Sequence, residues 1–188
     1  LTQLPNSTMQ ILDTLADGRQ LIRLQTPLAA LILPGQKIVD AEQCFPVLRH
    51  DANAQTIDLV VSAVNAPAVQ TLALTGVPIH FSLETSQRFI CHNDGIFIAL
   101  HFLFNQASAL RSRVSVIAQF DGALPFRPCP SRFYSANLPA QVIAAIPLLE
   151  DWGVFNRIVH RDAPGCYDGS VDDLRALFPA SDAEVILD

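Results

Sequence analysis

The sequence predicts a two-part fold: a small antiparallel β-barrel followed by a parallel-sheet α/β domain. Two observations lead to this prediction. Before about residue 85, short hydrophobic runs follow one another closely. After it, strand-like runs alternate with helix-like runs. We therefore expect one domain over residues 1–84 and a second over residues 85–188.

The first part contains short runs rich in Val, Ile and Leu with turn residues between them. The runs are RQLIRLQT, LAALIL, QKIV, TIDLVVSAV and VPIHFSL, and the turns are Asp17-Gly18, Pro34-Gly35 and Asn65-Ala66-Pro67. Closely spaced strands separated by turns are typical of an antiparallel sheet or barrel. We therefore predict each run to be a strand of a small barrel.

The second part alternates strands with helices. The predicted strands are RFIC, RVSVIAQF, NRIVHR and AEVIL, and the predicted helices are FIALHFLFNQA, PLLEDWG and SVDDLRALF. Parallel neighbours need a long return connection, so this alternation predicts a parallel sheet with crossover helices. Because helices would cover both faces of that sheet, we expect VSVIAQF and NRIVHR to be interior strands.

Residues at two predicted helix ends support these boundaries. Pro147 suits the first turn of PLLEDWG, where its missing amide hydrogen costs nothing, and Gly153 can adopt the left-handed conformation at the helix exit. Ser170, Asp172 and Asp173 place a hydroxyl cap and two carboxylates at the start of the last helix. These residues indicate helix boundaries and do not by themselves indicate a function.

Composition excludes some classes of function. The chain has 188 residues, half of them hydrophobic, and a net charge of −6. Its twelve lysines and arginines are scattered, whereas nucleic-acid binding needs them clustered. The longest apolar runs, such as 142–149, are shorter than the roughly 20 residues that span a bilayer. We predict no nucleic-acid partner and no membrane span.

The four cysteines lack the spacing of a metal site. Cys44, Cys91, Cys129 and Cys166 form no Cys-x-x-Cys pair. Zinc-binding patterns are therefore missing, and free thiols in a reducing cytoplasm are favoured. The sequence predicts a cytoplasmic protein without a metal.

The segment RFICHNDGIFIAL combines a strand, a short turn and a helix, an arrangement that holds phosphate in many nucleotide-binding proteins. Asn93, Asp94 and Gly95 are the candidate nucleotide-binding residues, and Gly95 is expected at positive φ, where it admits backbone close to phosphate. Asp94 would repel that phosphate. Asn93 and Asp94 could equally serve only to form the turn and cap the helix.

A second candidate is the glycine-rich loop APGCYDGS after the strand NRIVHR. Ligands of α/β proteins bind at the carboxyl ends of parallel strands, so Cys166, Tyr167 and Asp168 could line a site there. Cys166 could equally be a packing residue, because no base lies near it in sequence. No catalytic residue is predicted.

The element order and several motifs resemble the ferredoxin-reductase superfamily over most of the chain. Pro34-Gly35-Gln36 is similar to the superfamily's Pro-Gly-Gln, CFPVLRHD lies where its flavin-binding Arg-Pro-x-Ser segment belongs, and FICHNDGIFIAL lies where its glycine-rich nucleotide turn belongs. The most similar members are the electron-transfer subunits of dihydroorotate dehydrogenase. The resemblance implies a flavin domain at 1–84 and a nicotinamide-nucleotide domain at 85–188.

The flavin segment departs from the superfamily's pattern around Pro46. Phe45 stands where an arginine binds flavin phosphate, and Leu48 stands where a serine contacts the flavin. Neither side chain can donate a hydrogen bond. Arg49 is adjacent, but strand alternation directs it to the face opposite Leu48. Pro46 and Arg49 are the remaining candidate cofactor-binding residues of this segment.

Two functions fit these observations. The first, implied by the resemblance, is an NAD(P)H- and flavin-dependent oxidoreductase or its electron-transfer subunit, with FAD or FMN as the flavin. The second is a degenerate non-redox relative that binds no cofactor and serves as a binding or assembly subunit. Both imply a protein partner subunit or a homo-oligomer, because an isolated electron-transfer unit has no substrate of its own.

Overall fold

The structure, a computed structural model, describes residues 8–40, 43–62, 72–79 and 84–188. The chain divides into two compact units. The first unit comprises Leu1–Phe81 and Phe97–Asn105, and the second comprises Ser82–Ile96 and Gln106–Asp188. Each unit is described by itself below.

The first unit contains two antiparallel sheets. Its strands are β1 (Met9–Thr14), β2 (Gln20–Gln25), β3 (Lys37–Asp40), β4 (Gln43–Phe45), β5 (Val47–Asp51), β6 (Thr56–Val61) and β7 (Ala73–Thr75). One sheet has the order β1-β2-β6-β5 and the other has the order β4-β3-β7. All of these strand pairs are antiparallel, as the sequence predicts.

Both sheets contribute to one hydrophobic core. Ile22 and Leu24 of β2 point into it, while Arg23 between them is only half-buried. Ile38 of β3 and Leu59 of β6 are fully buried in the same cluster. The period of two in β2 directs alternate side chains to the core, which explains how a six-residue strand can have one face buried.

Two strand predictions in this unit are wrong. The run LAALIL is not a strand: a 3-10 helix occupies Pro27–Ala30, because Pro27 suits a first helical position and the Thr26 hydroxyl accepts the Leu28 amide at 3.3 Å. Residues 77–79 of VPIHFSL are not in a strand either; the strand here is β7, which ends before them. Residues 80–83, residues 63–64 of TIDLVVSAV and the turn at 65–67 lie outside the described residues.

The second unit is built on a parallel sheet. Its elements are β8 (Gln87–His92), the start of α1 (Gly95–Phe104), α2 (Ser108–Arg111), β9 (Val114–Gln119), β10 (Cys129–Pro130), β11 (Ala144–Ala145), α3 (Pro147–Asp151), β12 (Phe155–Val159), α4 (Val171–Leu177) and β13 (Ala183–Leu187). The sheet order is β12-β9-β8-β13, with all three pairs parallel. The predicted fold class is confirmed: antiparallel sheets are followed by a parallel α/β unit.

The position of β12 differs from the expectation. β9 is an interior strand, as predicted, but β12 is one of the two outer strands of this sheet within the described residues. The reason is that the chain, after β12, passes to the other side of the sheet, where β13 pairs with β8. On the side of β12 away from β9, an isolated parallel bridge pairs Val159 with Tyr167.

The predicted helix caps are present. Pro147 is the first residue of α3, and Gly153 has a φ of 75° just after that helix. The Ser170 hydroxyl accepts the Asp173 amide, and the Asp173 carboxylate accepts the Ser170 amide. This reciprocal capping box explains why α4 begins at Val171.

A buried polar network ties the long connection between β9 and β12 to α3. The Glu150 carboxylate accepts the Ser131 hydroxyl at 2.8 Å, the Arg132 amide at 3.0 Å and the Asn156 side-chain amide at 3.1 Å. Arg157, also buried, donates to the carbonyl oxygens of Val142, Asn156 and Phe133. Desolvation lowers the pKa of Arg157 from its ordinary value, while Glu150 opposes that effect. These contacts hold the proline-rich stretch 125–133 in place.

Candidate functional site

A cleft of about 700 Å³ opens in the second unit at the carboxyl ends of β9 and β12. Three carboxylates line it: Asp121 follows β9, while Asp162 and Asp168 follow β12. The guanidinium of Arg161 and the imidazole of His160 share the lining. Parallel α/β sheets bind ligands at this edge, because strand ends there leave loops and free backbone groups. The cleft is therefore the candidate binding site.

Asp121 is held by two side-chain amides. The Asn93 side chain donates to one carboxylate oxygen at 3.0 Å, and Gln119 donates to the other at 3.2 Å. These hydrogen bonds, that from Asn93 being the larger influence, lower the pKa of Asp121 from its usual value, and His92 and Arg161 add attraction. Asp121 is thus an ionised acceptor at neutral pH, and its position is set by the end of β8 as well as by β9.

The turn after β8 is shaped by Asn93. This residue has a φ of 47°, in the left-handed region that asparagine tolerates better than most residues. Its backbone amide donates to the Gln119 carbonyl at 2.8 Å, and its side-chain oxygen accepts the Asp121 amide at 3.1 Å. The turn therefore joins the ends of β8 and β9, which brings Asn93 beside the cleft.

Gly95 does not have the backbone conformation that the sequence predicts. Its φ is not positive; the positive φ of this turn belongs to Asn93. A Cβ at Gly95 would overlap the Leu187 carbonyl group and would lie 2.9 Å from the Asp188 nitrogen. Gly95 is therefore required because the start of α1 packs directly on the end of β13, a close approach that a side chain would prevent.

The His160 ring connects the loops that form the cleft. Its Nδ1 accepts the backbone amides of Asp162 at 3.1 Å and Ala163 at 3.0 Å. Its Nε2 lies 2.9 Å from the Gly122 carbonyl oxygen. One imidazole thereby links the chain after β12 to the chain after β9.

The predicted loop residues Cys166 and Tyr167 lie beside the cleft, not in its lining. Burial raises the pKa of the Cys166 thiol to about 11, so this cysteine is not an activated nucleophile. Tyr167 packs its ring against the apolar cluster around Ile117 and Leu174, and its amide donates to the Ile158 carbonyl at 2.9 Å. Asp168, which follows them, does line the cleft.

The predicted flavin segment is packed into the first unit. Pro46 is buried, and its carbonyl accepts the Val60 amide at 3.0 Å. Phe45, which stands at the arginine position of the resembling proteins, is 4% exposed within the core. A phosphate could not reach a side chain so placed.

Arg49 is engaged by other residues of the first unit. Its Nε lies 3.2 Å from the Asp58 carboxylate, and its guanidinium lies 5.5 Å from the centre of the Phe104 ring. Arg23 binds the same carboxylate through two hydrogen bonds of 2.7 and 2.9 Å. Asp58 is buried, so the two arginines balance a charge that would otherwise be costly there.

Two histidines of the first unit form a close pair. His50 Nδ1 and His101 Nε2 are 2.7 Å apart, and His101 is only 1% exposed. Desolvation, with a smaller repulsion from His50, lowers the pKa of His101 to about 3. Desolvation also lowers the pKa of His50. Both rings are therefore neutral at physiological pH and share one hydrogen bond.

In the described ranges, no three His, Cys, Asp or Glu side chains come together in a group suited to a metal ion. All four cysteines are free thiols. Among the described helices, none combines the length and hydrophobicity needed to cross a membrane.

Comparison with known proteins identifies the fold. The sequence matches no known family model and no curated protein. The structure is similar to an NADH-dependent reduced ferredoxin–NADP oxidoreductase studied for flavin-based electron bifurcation, with a TM-score of 0.57 and 12% identity over 99% of this chain and 67% of that one. The chain has a ferredoxin–NADP reductase-type fold. The siderophore-interacting protein of Acinetobacter baumannii shares it, with a TM-score of 0.50 and 12% identity over 99% of this chain and 77% of that one.

Within this fold, the structure adds residues that sequence reasoning did not single out. Asp121, His160 and Arg161 line the cleft, yet none belongs to a recognisable motif. The available signal was their position at the carboxyl ends of predicted strands, where ligands bind: Asp121 directly follows RVSVIAQF, and His160 and Arg161 are the last two residues of NRIVHR.

Proposed function

We propose that this protein is an electron-transfer module of the oxidoreductase type that binds a nicotinamide nucleotide in the cleft after β9 and β12. The observation that carries the proposal is the position of the cleft: it lies at the carboxyl edge of a parallel sheet in a ferredoxin–NADP reductase-type fold. A neighbour with this fold is NADH-dependent, which supports the choice of ligand.

The polar groups of the cleft suit a nucleotide. Asp121 offers ionised acceptor oxygens to ribose hydroxyls, the role that an acidic residue after the second strand takes in dinucleotide-binding folds. Arg161 offers a guanidinium to a phosphate, for which its planar fork of donors is suited. A bound nicotinamide would supply hydride transfer. Asp121 and Arg161 would orient the nucleotide and take no part in the transfer itself.

Flavin binding through the segment around Pro46 is not part of the proposal. Phe45 is buried, and Arg49 is held by Asp58 and Phe104, so these residues do not fit a flavin phosphate. We propose instead that electrons pass to a flavin held by other parts of this chain or by a partner subunit. The resemblance to the electron-transfer subunits of dihydroorotate dehydrogenase supports a partner subunit or a homo-oligomer. Free thiols favour a cytoplasmic location.

Titration calorimetry with NADH and NADPH tests the nucleotide site. We expect NADH to bind the wild type and Asp121→Asn to weaken that binding about tenfold, because a hydrogen bond to a charged acceptor contributes about 1.5 kcal/mol or more. Asp151→Asn is the matched control, since Asp151 is an exposed carboxylate at the end of α3, away from the cleft lining. Absence of NADH binding to the wild type would reject the proposal.

The second candidate function is a non-redox binding or assembly subunit. The packing of Phe45 and the engagement of Arg49 favour it, since both remove the resembling proteins' flavin contacts. Freshly purified protein distinguishes the two candidates. A flavin absorption band, in the chain alone or in its native complex, supports electron transfer, whereas a colourless native oligomer that binds neither NADH nor NADPH supports the assembly role.

A further inference from the structure

His160 is placed where the two loops of the cleft separate. The last backbone hydrogen bond between β9 and β12 is donated by Phe120 to the Val159 carbonyl, at 3.1 Å. Past it, the chain after β9 (residues 120–123, the β9 loop) and the chain after β12 (residues 160–163, the β12 loop) have left the sheet ladder. The His160 ring then joins them, with Nε2 2.9 Å from the Gly122 carbonyl oxygen.

The hydrogen bonds of His160 define its tautomer. Two backbone amides, those of Asp162 and Ala163, point at Nδ1 from 3.1 and 3.0 Å. An N–H can only donate, so Nδ1 must be the bare acceptor nitrogen. The ring proton is therefore on Nε2, where it is donated to the Gly122 carbonyl. Every polar atom of the imidazole is used by one of the two loops.

This arrangement sets the positions of the charged groups that face the cleft. Asp121 precedes Gly122 in the β9 loop, while Arg161 and Asp162 belong to the β12 loop. Asp168 faces the cleft from the glycine-rich loop, whose Tyr167 carbonyl accepts the His160 amide at 2.9 Å. Asp121 is also held by Asn93 and Gln119 on the side of β8 and β9. Without the ring, Gly122 loses its link to the β12 loop, and the position of Arg161 relative to Asp121 loses one of its constraints.

We propose that His160 is a positioning residue of the cleft: as the Nε2–H tautomer, it ties the β9 loop to the β12 loop and holds Asp121 and Arg161 at the separation that a nucleotide requires. The choice of ligand rests on the proposed function. The hydrogen bonds by which His160 joins the two loops do not depend on the proposed function, because they are present in the protein without a ligand.

Two variants distinguish the His160–Gly122 hydrogen bond between the loops from the hydrogen bonds of His160 within the β12 loop. In His160→Asn, the side-chain oxygen can accept the Asp162 and Ala163 amides, as asparagine does in Asx turns, but no atom reaches Gly122. His160→Ala removes both sets of bonds. Asp151→Asn is the control, because Asp151 is an exposed residue at the end of α3 and does not line the cleft.

Imidazole ¹⁵N spectra and backbone amide spectra test the tie without a ligand. We expect the wild type to show His160 protonated at Nε2 and bare at Nδ1. In His160→Asn, the amide signals of Asp121 and Gly122 should shift or broaden, while those of Asp162 and Ala163 stay near their wild-type positions. A proton on Nδ1 would overturn the inference, as would unchanged Asp121 and Gly122 signals in the Asn variant.

NADH titration then tests the consequence for binding. We expect His160→Asn to bind NADH about tenfold more weakly than the wild type, a change of about 1.4 kcal/mol, and Asp151→Asn to bind like the wild type. Equal affinity of His160→Asn and the wild type overturns the positioning role. If the wild type binds no NADH, the proposed function fails, and the tie between the loops is decided by the tautomer and the amide signals alone.

Discussion

The α-carbon of Gly95, at the start of α1, packs against the carbonyl group of Leu187, the last residue of β13. The contact leaves no room for a side chain, and it joins the turn after β8 to β13, an outer strand of the parallel sheet within the described residues. Packing within the second unit is therefore sufficient to explain the glycine.

Gly95→Ala should therefore destabilise the protein whether or not a nucleotide binds. The added methyl group meets backbone atoms, which cannot rotate away, so α1 or β13 must shift; overpacking of this kind costs about 1–3 kcal/mol. Urea unfolding measures the effect. Gly122→Ala is the control, since a Cβ at Gly122 meets nothing within 4 Å. Equal stability of the two variants would contradict the packing explanation.

Asp94→Gly should tighten nucleotide binding if phosphate lies at the start of α1. Removing the Asp94 carboxylate removes its repulsion of a phosphate bound at the positive, N-terminal end of the helix dipole. We expect an effect on the order of 1 kcal/mol. Asp94→Asn removes the charge but keeps the side chain, so it distinguishes repulsion from crowding. Calorimetric titration with NADH compares the three proteins. Unchanged affinity in both variants would place the phosphate away from the start of α1.

Stability should fall as the pH is lowered through the ordinary histidine range, because of His101. Its folded-state pKa of about 3 lies below the unfolded value of 6.5. Between these two values the unfolded chain binds a proton at His101 and the folded chain does not. The stabilisation is complete above pH 6.5 and is lost progressively below it, by about 2 kcal/mol at pH 5. Urea unfolding at pH 7.5 and pH 5 measures this loss.

His101→Gln is the control for that prediction. Glutamine retains a donor for His50 but does not titrate, whereas carboxylate contributions remain the same in both proteins. The loss between pH 7.5 and pH 5 should shrink in the variant. An identical loss would assign the pH dependence to other groups.

Glu150→Ala should destabilise the second unit strongly. The substitution removes the acceptor of the Ser131 hydroxyl and the Arg132 amide and one of two acceptors of the buried Asn156 side-chain amide, at a cost of about 3 kcal/mol or more. Asp151→Ala, on the exposed side of the same helix, should change stability by less than about 0.5 kcal/mol. Thermal unfolding compares the two variants, and similar midpoints would show that the network contributes little.

The order of structural elements in the second unit was determined by local sequence. Hydrophobic runs such as VSVIAQF, the proline that opens α3 and the Ser170 cap of α4 act over a few residues, so the pattern alone locates β9 and both helices. The same holds for β2 and β6 in the first unit. Local signals failed at LAALIL, where the Thr26 cap and Pro27 outweigh strand propensity.

Only the tertiary structure decided which residues form the site and why Gly95 is a glycine. Asn93, Asp121 and His160 meet because parallel pairing brings the ends of β8, β9 and β12 to one edge, a consequence of strand order that spacing along the chain does not encode. Likewise, the neighbour that excludes a side chain at Gly95 is Leu187, more than ninety residues away. The sequence determines propensities over a turn or a strand; contacts between distant segments depend on how the whole sheet is assembled.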